Sequence, residues 1–109
     1  MFDCRAIHNP GRYEEYKNLT GRDESVKAFL EKTEEVSNFV SNALALVKPS
    51  VERYQKRGFT SLQVGFGCTG GQHRSVYCAD RFAEEIKKSY PDVGIELIHR
   101  EQGIKEKKL

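Results

Sequence analysis

Hydrophobic and polar residues change rhythm several times along this chain, and each change marks an element. Phe2, Cys4 and Ala6 alternate with Asp3 and Arg5, the period of a half-buried strand, so a first strand is expected at about 1–7. His8-Asn9-Pro10-Gly11 breaks it. From Arg12 to Arg22 no period holds; charge and tyrosine fill a long connection, a kind of segment that is often functional in a compact domain. Asp23 is placed to cap a short helix carrying Val26, Phe29 and Leu30. Thr33 is placed to cap a second, whose apolar face is Val36, Phe39, Val40, Ala43, Leu44 and Val47. Pro49 is expected to end or kink that helix, with Ser50 to Tyr54 as a further turn or two, and Gly58 closes the unit.

Leu62, Val64 and Phe66 then alternate with Ser61, Gln63 and Gly65, which predicts a second strand. Val76, Ala79, Phe82, Ala83 and Ile86 return to helical spacing. Pro91-Asp92 makes a turn, and Val93, Ile95 and Leu97 give a third strand. The stretch from Arg100 to Leu109 reads as a loose, solvated tail. The order βααβαβ predicts one α/β domain over residues 1–109: a small, mainly parallel sheet of about three strands flanked by helices. Ligands of such sheets sit beyond the carboxyl ends of the strands. In a parallel sheet Asp3, which opens the first strand, is expected at the opposite end from such a site.

Composition narrows the class. The chain has 109 residues, 38% hydrophobic and 31% charged, which fits an ordinary globular domain. No apolar run reaches the ~18 residues of a membrane span, and Met1-Phe2-Asp3-Cys4-Arg5 lacks the regions of a signal peptide. Three cysteines at positions 4, 68 and 78 form neither a disulfide framework nor a zinc pattern, so a reducing cytoplasm is expected. The net charge of +2 means that any polyanion must be held by a local patch.

Most of the chemistry lies in Gly65-Phe66-Gly67-Cys68-Thr69-Gly70-Gly71-Gln72-His73-Arg74-Ser75, a strand running into a glycine loop that opens a helix. Glycine lets the backbone approach a ligand closely. The free N–H groups at the helix start and the positive end of its dipole then face one point. Arg74, Ser75 and Thr69 add side-chain donors, so a phosphate-sized anion is the expected guest. His73 is weighed evenly between ligand contact and capping the loop.

Cys68 and Arg74 also have the Cys-x5-Arg spacing of cysteine-dependent phosphatases, in which a thiolate sits at a helix start and Arg grips the phosphoryl oxygens. Cys68 and Arg74 would then be catalytic. The bland alternative is a small buried residue ending a strand. An efficient phosphatase also needs an acid for the leaving oxygen. Asp23 is better used as a cap, His73 lies inside the loop, and Asp3 is placed at the far end, so binding without turnover is the leading expectation. Asp3 and Arg5 read first as a structural ion pair. Lys87 and Lys88 suit the end of the third helix whatever the function, and Lys105, Lys107 and Lys108 form a tail cluster for which nucleic acid is the alternative to solvent.

The run Gly67-Cys68-Thr69-Gly70-Gly71-Gln72-His73-Arg74-Ser75-Val76-Tyr77 resembles the signature of the C-terminal domain of the RapZ family of RNase adapter proteins, earlier described as P-loop nucleotide-binding proteins. Phe2-Asp3-Cys4-Arg5, Asn9-Pro10, Leu19-Thr20-Gly21 with Asp23 and Val26, and His99-Arg100 with the lysine-rich end extend the resemblance over nearly the whole chain. It implies an α/β domain, likened to part of phosphofructokinase, that senses glucosamine-6-phosphate, binds small regulatory RNAs and is not an enzyme. By position, the sugar-phosphate pocket would use Cys68, Thr69, Gly70, Gly71, His73 and Arg74, with Ser75 from the loop reading and Asp3 as a further match. RNA would fall to Lys105, Lys107 and Lys108, with Lys87 and Lys88. Two departures stand out: Gly11 occupies the place after Asn-Pro where the family often has His, and no Gly-x4-Gly-Lys-Ser/Thr occurs in the 109 residues, so ATP binding, a further alternative, lacks its usual motif. No cofactor and no membrane are expected. A homo-oligomer, or a fused or partner nucleotide-binding domain, completes the list of partners.

Overall fold

A computed structural model describes residues 1–58 and 60–108, so the last residue of the expected 1–109 domain lies outside the described residues. Its elements run β1 (Phe2–Asp3), α1 (Glu24–Glu31), α2 (Glu35–Arg57), β2 (Phe66–Gly67), α3 (Arg74–Ser89), β3 (Ile95–His99) and β4 (Ile104–Lys108), an α/β chain. Short 3₁₀ turns at Pro10–Arg12, Glu14–Tyr16 and Thr69–Gly71 interrupt the connections.

The strands form two separate pairs rather than one mainly parallel sheet. β1 and β2 are parallel, with Phe2 beside Phe66 and Asp3 beside Gly67. Bonds from Phe2 N–H to the Gly65 carbonyl and from Cys4 N–H to the Gly67 carbonyl, each 2.7 Å, extend the pairing slightly. Both strands are shorter than their alternation predicts: Ile7 N–H turns back to the Cys4 carbonyl, which ends the first strand early. β3 and β4 are antiparallel, with Ile95 opposite Lys108 and His99 opposite Ile104. The expected loose tail is therefore a strand. Gly103, at φ +65°, supplies the left-handed turn, and the period-two pattern of Ile104, Glu106 and Lys108 was masked by charge. A groove of about 1000 Å³ separates the two pairs; its floor is the apolar face of α3, including Val76, Phe82 and Ile86.

The pairing also moves Asp3. Because β1 is only two residues long and Asp3 lies level with Gly67, its carboxylate stands at the glycine-loop end of the pair, not at the far end.

Helix boundaries follow the apolar stripes but not always the expected caps. Asp23 holds the N-cap position of α1 but makes no capping bond; its carboxylate turns back to the Thr20 N–H at 2.7 Å. Glu34, not Thr33, precedes α2. α2 runs on through Pro49, which leaves the Ala45 carbonyl without its helical donor, and ends at Gly58 in the left-handed region with φ 72°. Val26, Leu30, Val36, Val40, Ala43, Phe82 and Ile86 form the core between the helices. Phe2, Phe66 and Phe82 join it to the parallel strands, Phe66 lying 5.5 Å from Phe2 and 5.3 Å from Phe82 between ring centres.

Candidate anion site at the glycine loop

The loop leaves β2 at Cys68, makes one 3₁₀ turn over Thr69–Gly71 and enters α3 at Arg74. Gly70 and Gly71 have φ of +78° and +61°, a conformation that disfavours any side chain. Space is open where a Gly70 side chain would point, and Thr69 is exposed beside it. A methyl group at Gly71 would instead lie 3.0 Å from Glu101 Cγ, so the Glu101 side chain, from the β3–β4 turn, stands over that glycine. Gln102 donates to the Gly71 carbonyl at 3.1 Å. The interstrand groove reaches this loop at Gly71 and Ser75.

Three loop side chains are occupied by backbone, two of them, His73 and Arg74, offered to a ligand by the sequence. Arg74, only 4% exposed, donates from Nη1 to the carbonyls of Arg5 and Ile7 at 2.9 and 2.8 Å. His73 Nε2 lies 2.8 Å from the Tyr16 carbonyl; because a carbonyl only accepts, that nitrogen carries the proton. Gln72, which the sequence did not single out, donates to the carbonyls of Lys17 and Leu19 at 2.6 and 2.7 Å. The Gln72 carbonyl in turn accepts from Gly21 N–H at 3.0 Å. Gln72 and His73 fasten the long Arg12–Arg22 connection to the start of α3, and Arg74 fastens the segment after β1.

Cys68 and Ser75 are brought together. The thiol donates to Ser75 Oγ at 3.2 Å, and Sγ accepts from Ser75 N–H at 3.4 Å. Burial pushes the Cys68 thiol up, but the Ser75 hydroxyl and N–H, the Arg74 charge and the Gly71 N–H outweigh it, so the thiol lies below its ordinary value. Asp3 and Arg5 form the expected ion pair, with Arg5 Nη2 2.8 Å from the carboxylate and Nε 3.0 Å from both oxygens. Arg5 hydrogen bonds, chiefly, lower the Asp3 carboxyl to about 2, with a small addition from Arg74.

A second cluster escaped the sequence reading because its members are scattered. Arg22 reaches Asp80 at 3.1–3.2 Å and Glu106 at 2.7–2.9 Å, and Asp80 accepts from His99 at 2.9 Å. It joins the long connection to α3 and to the β3–β4 hairpin. The sequence marked the Arg12–Arg22 connection and, by resemblance, Leu19-Thr20-Gly21 and His99, but not the pairing of Arg22 with Asp80 and Glu106.

The lysines do not converge on the loop. Lys87 donates to the Val93 carbonyl, Lys88 pairs with Glu85, and Lys105 pairs with Glu96 across the hairpin. Lys105 and Lys107 share the exposed face of β4, and Lys108 lies on the other. Among the described residues no group of His, Cys, Asp and Glu is arranged to hold a metal ion, and no helix is long and apolar enough to cross a membrane.

The fold is an α/β domain with a glycine loop between β2 and α3, and comparison gives its family. Residues 1–103 match the model of the RapZ C-terminal domain, and the chain belongs to that family. It is 40% identical over 104 residues to a nucleotide-binding protein of Staphylococcus carnosus (strain TM300), covering 95% of this chain and 34% of that protein. It is 38% identical over 103 residues to a nucleotide-binding protein of Fervidobacterium nodosum (strain ATCC 35602 / DSM 5306 / Rt17-B1), covering 93% and 35%. The chain thus spans about a third of the length of the curated relatives it matches.

Proposed function

We propose that this domain is the ligand-sensing part of a regulatory protein, taking a phosphorylated small molecule, glucosamine-6-phosphate in the first instance, at the loop Cys68–Ser75. The observation that carries the reading is the backbone of Gly70 and Gly71: two left-handed residues, with open space outside Gly70, separated only by Gln72 and His73 from a sixteen-residue helix. Helix-start N–H groups need an acceptor, and a phosphoryl oxygen is one. Family membership and the nucleotide-binding names of the relatives support a small-molecule role. With Arg74 Nη1 committed to carbonyls, the loop backbone, Thr69 and Ser75 are the principal donors in this reading, and Arg74 contributes charge from behind.

Binding without turnover is favoured over a cysteine phosphatase. Asp3 stands level with Gly67 at the loop end, but its carboxylate is engaged by the Arg5 guanidinium, which stabilises the ionised form and opposes a role as the acid. Titration with glucosamine-6-phosphate and with inorganic phosphate, followed by backbone amide shifts, tests the site. Residues Thr69 to Ser75 should move first, and para-nitrophenyl phosphate should survive unchanged. A silent loop would overturn the site; robust hydrolysis lost in Cys68→Ser would make the domain an enzyme.

RNA contact is a second reading, supported by the exposed, same-face placement of Lys105 and Lys107 on β4. With those two and Lys108, the log–log salt slope for single-stranded RNA should be no steeper than about −2. Replacing all three by Ala should abolish retention; tight binding that survives the change would place the RNA elsewhere.

A further inference from the structure

We propose that the groove between the two strand pairs is a docking slot for an extended, uncharged segment of another polypeptide, apolar at every second residue, which joins the pairs into one continuous sheet. The inference is independent of which anion the glycine loop binds.

The walls of the groove are strand edges. One wall is the run 60–66, which leads into β2, and the other is the run 93–102, which contains β3. β1 and β4 pair with the outer edges of those walls, and no residue of either lines the groove. Leu62, Val64 and Phe66 alternate as a strand does, yet among the described residues Ser61 to Val64 make no backbone hydrogen bond. In an antiparallel pair alternate residues aim their N–H and C=O groups away from the partner. On β3 those groups face away from β4, and among the described residues no other strand meets them. Two unpaired edges thus flank one groove, and an unpaired edge is a template for a further strand.

Size and charge select the occupant. An extended segment of about six residues, at ~3.3 Å per residue, ~4.8 Å between neighbours and ~10 Å through both side-chain faces, fills roughly the 1000 Å³ of the groove. A helix satisfies its own backbone groups and would leave both edges unpaired. The floor, with Val76, Phe82 and Ile86 of α3, takes apolar side chains from the one face of a strand turned towards it. The wall 60–66 carries no charge, and Glu96 on the other wall is paired with Lys105. A charge inserted between these walls would lose water and gain no partner, so the segment is uncharged. A second copy has no such strand to give. Four of the five residues of β4 are charged, β1 has two residues of which one is Asp3, and β2 and β3 wall their own groove.

Titration of the ¹⁵N-labelled full chain with a capped peptide of three threonine–valine repeats between two lysines tests the slot. The amide signals of Ser61 to Val64 and of β3 should shift, and their exchange with solvent should slow at least about tenfold, as new backbone bonds require. Thr69 and Gly70 should stay still. The same peptide with alternate backbone nitrogens methylated, or with asparagine for valine, should bind at least about tenfold more weakly, because one loses the donors and the other the apolar face. No binding by the plain peptide, equal binding by the methylated one, or shifts confined to residues outside both walls overturns the proposal. Protection of Ser61 to Val64 without peptide, together with a dimer in sedimentation, also overturns it, since a second copy would then fill the groove.

Discussion

Arg74 donates from Nη1 to the carbonyl of Ile7 at 2.8 Å, across 67 residues of sequence. The same nitrogen reaches the Arg5 carbonyl, so a residue with the spacing of a phosphate-gripping arginine holds the segment that follows β1 against α3. Removing it strips two carbonyls of their donor inside the fold. Arg74→Ala should therefore lose about 2–4 kcal/mol of folding stability, the scale of buried polar groups left unpaired. Urea unfolding with an unchanged m-value checks this. A loss under about 1 kcal/mol, together with abolished phosphate binding, would return Arg74 to the ligand.

Gly21 makes the other close join to α3. A methyl group there would lie 2.3 Å from the His73 carbonyl oxygen and 2.6 Å from the Tyr77 nitrogen, both backbone atoms of the first turn. Neither can swing aside as a side chain would. Gly21→Ala should cost about 3 kcal/mol, the upper range for overpacking, and should loosen the Arg12–Arg22 connection, read as faster amide exchange at Leu19 and Gly21. Gly58→Ala is the control: nothing lies within 4 Å, so only its left-handed backbone resists, at about 1–2 kcal/mol. Equal costs would show that close contact at Gly21 is not what matters.

The sequence exposed those features whose cause is local. The stripe Val76, Ala79, Phe82, Ala83, Ile86 marked α3, and Gly58 marked the end of α2, because both signals lie within a few neighbouring residues. The loop from Cys68 to Ser75 stood out because glycine density and a helix start are adjacent in the chain. Gln72 and Arg22 did not stand out, because their partners lie 53–55 and 58–84 residues away and no spacing rule links them. β4 was hidden for another reason: four charged residues among its five disguised a real alternation, and pairing with β3 outweighed the weak strand preference of lysine and glutamate.

The Asp3–Arg5 pair offers a pH signature. Asp3 is an acid whose pKa is lowered in the fold to about 2, against an unfolded value of ~3.9. For a depressed carboxyl the contribution to stability is present above the unfolded value and is lost as pH falls through the folded one. The Asp3 carboxyl carbon, followed by NMR, should titrate near 2 in the wild type. In Arg5→Ala it should return towards the ordinary value, because side-chain and backbone bonds from Arg5 are the main cause. The side chain is exposed, so the pair should matter little to overall stability. A midpoint near 4 in the wild type would show that the pair does not persist in solution.

Glu101 provides the last and most discriminating prediction. Its side chain stands over Gly71, with Cγ at 3.0 Å from where a methyl group on that glycine would be, and so it brings a negative charge to the loop assigned to an anion. A like charge at that position opposes phosphate. It acts from an exposed residue, where water screens it, so the penalty is modest, about 1 kcal/mol or less. Glu101→Gln keeps the shape and removes the charge. It should therefore tighten inorganic phosphate by about two- to fivefold, and added salt should narrow the difference as screening takes over. Calorimetric titration of both proteins at low and high salt measures it. A folded Glu101→Gln protein that binds phosphate no better at low salt would mean that the anion sits beyond the reach of Gly71, and the Cys68–Ser75 assignment would fail on its own electrostatics.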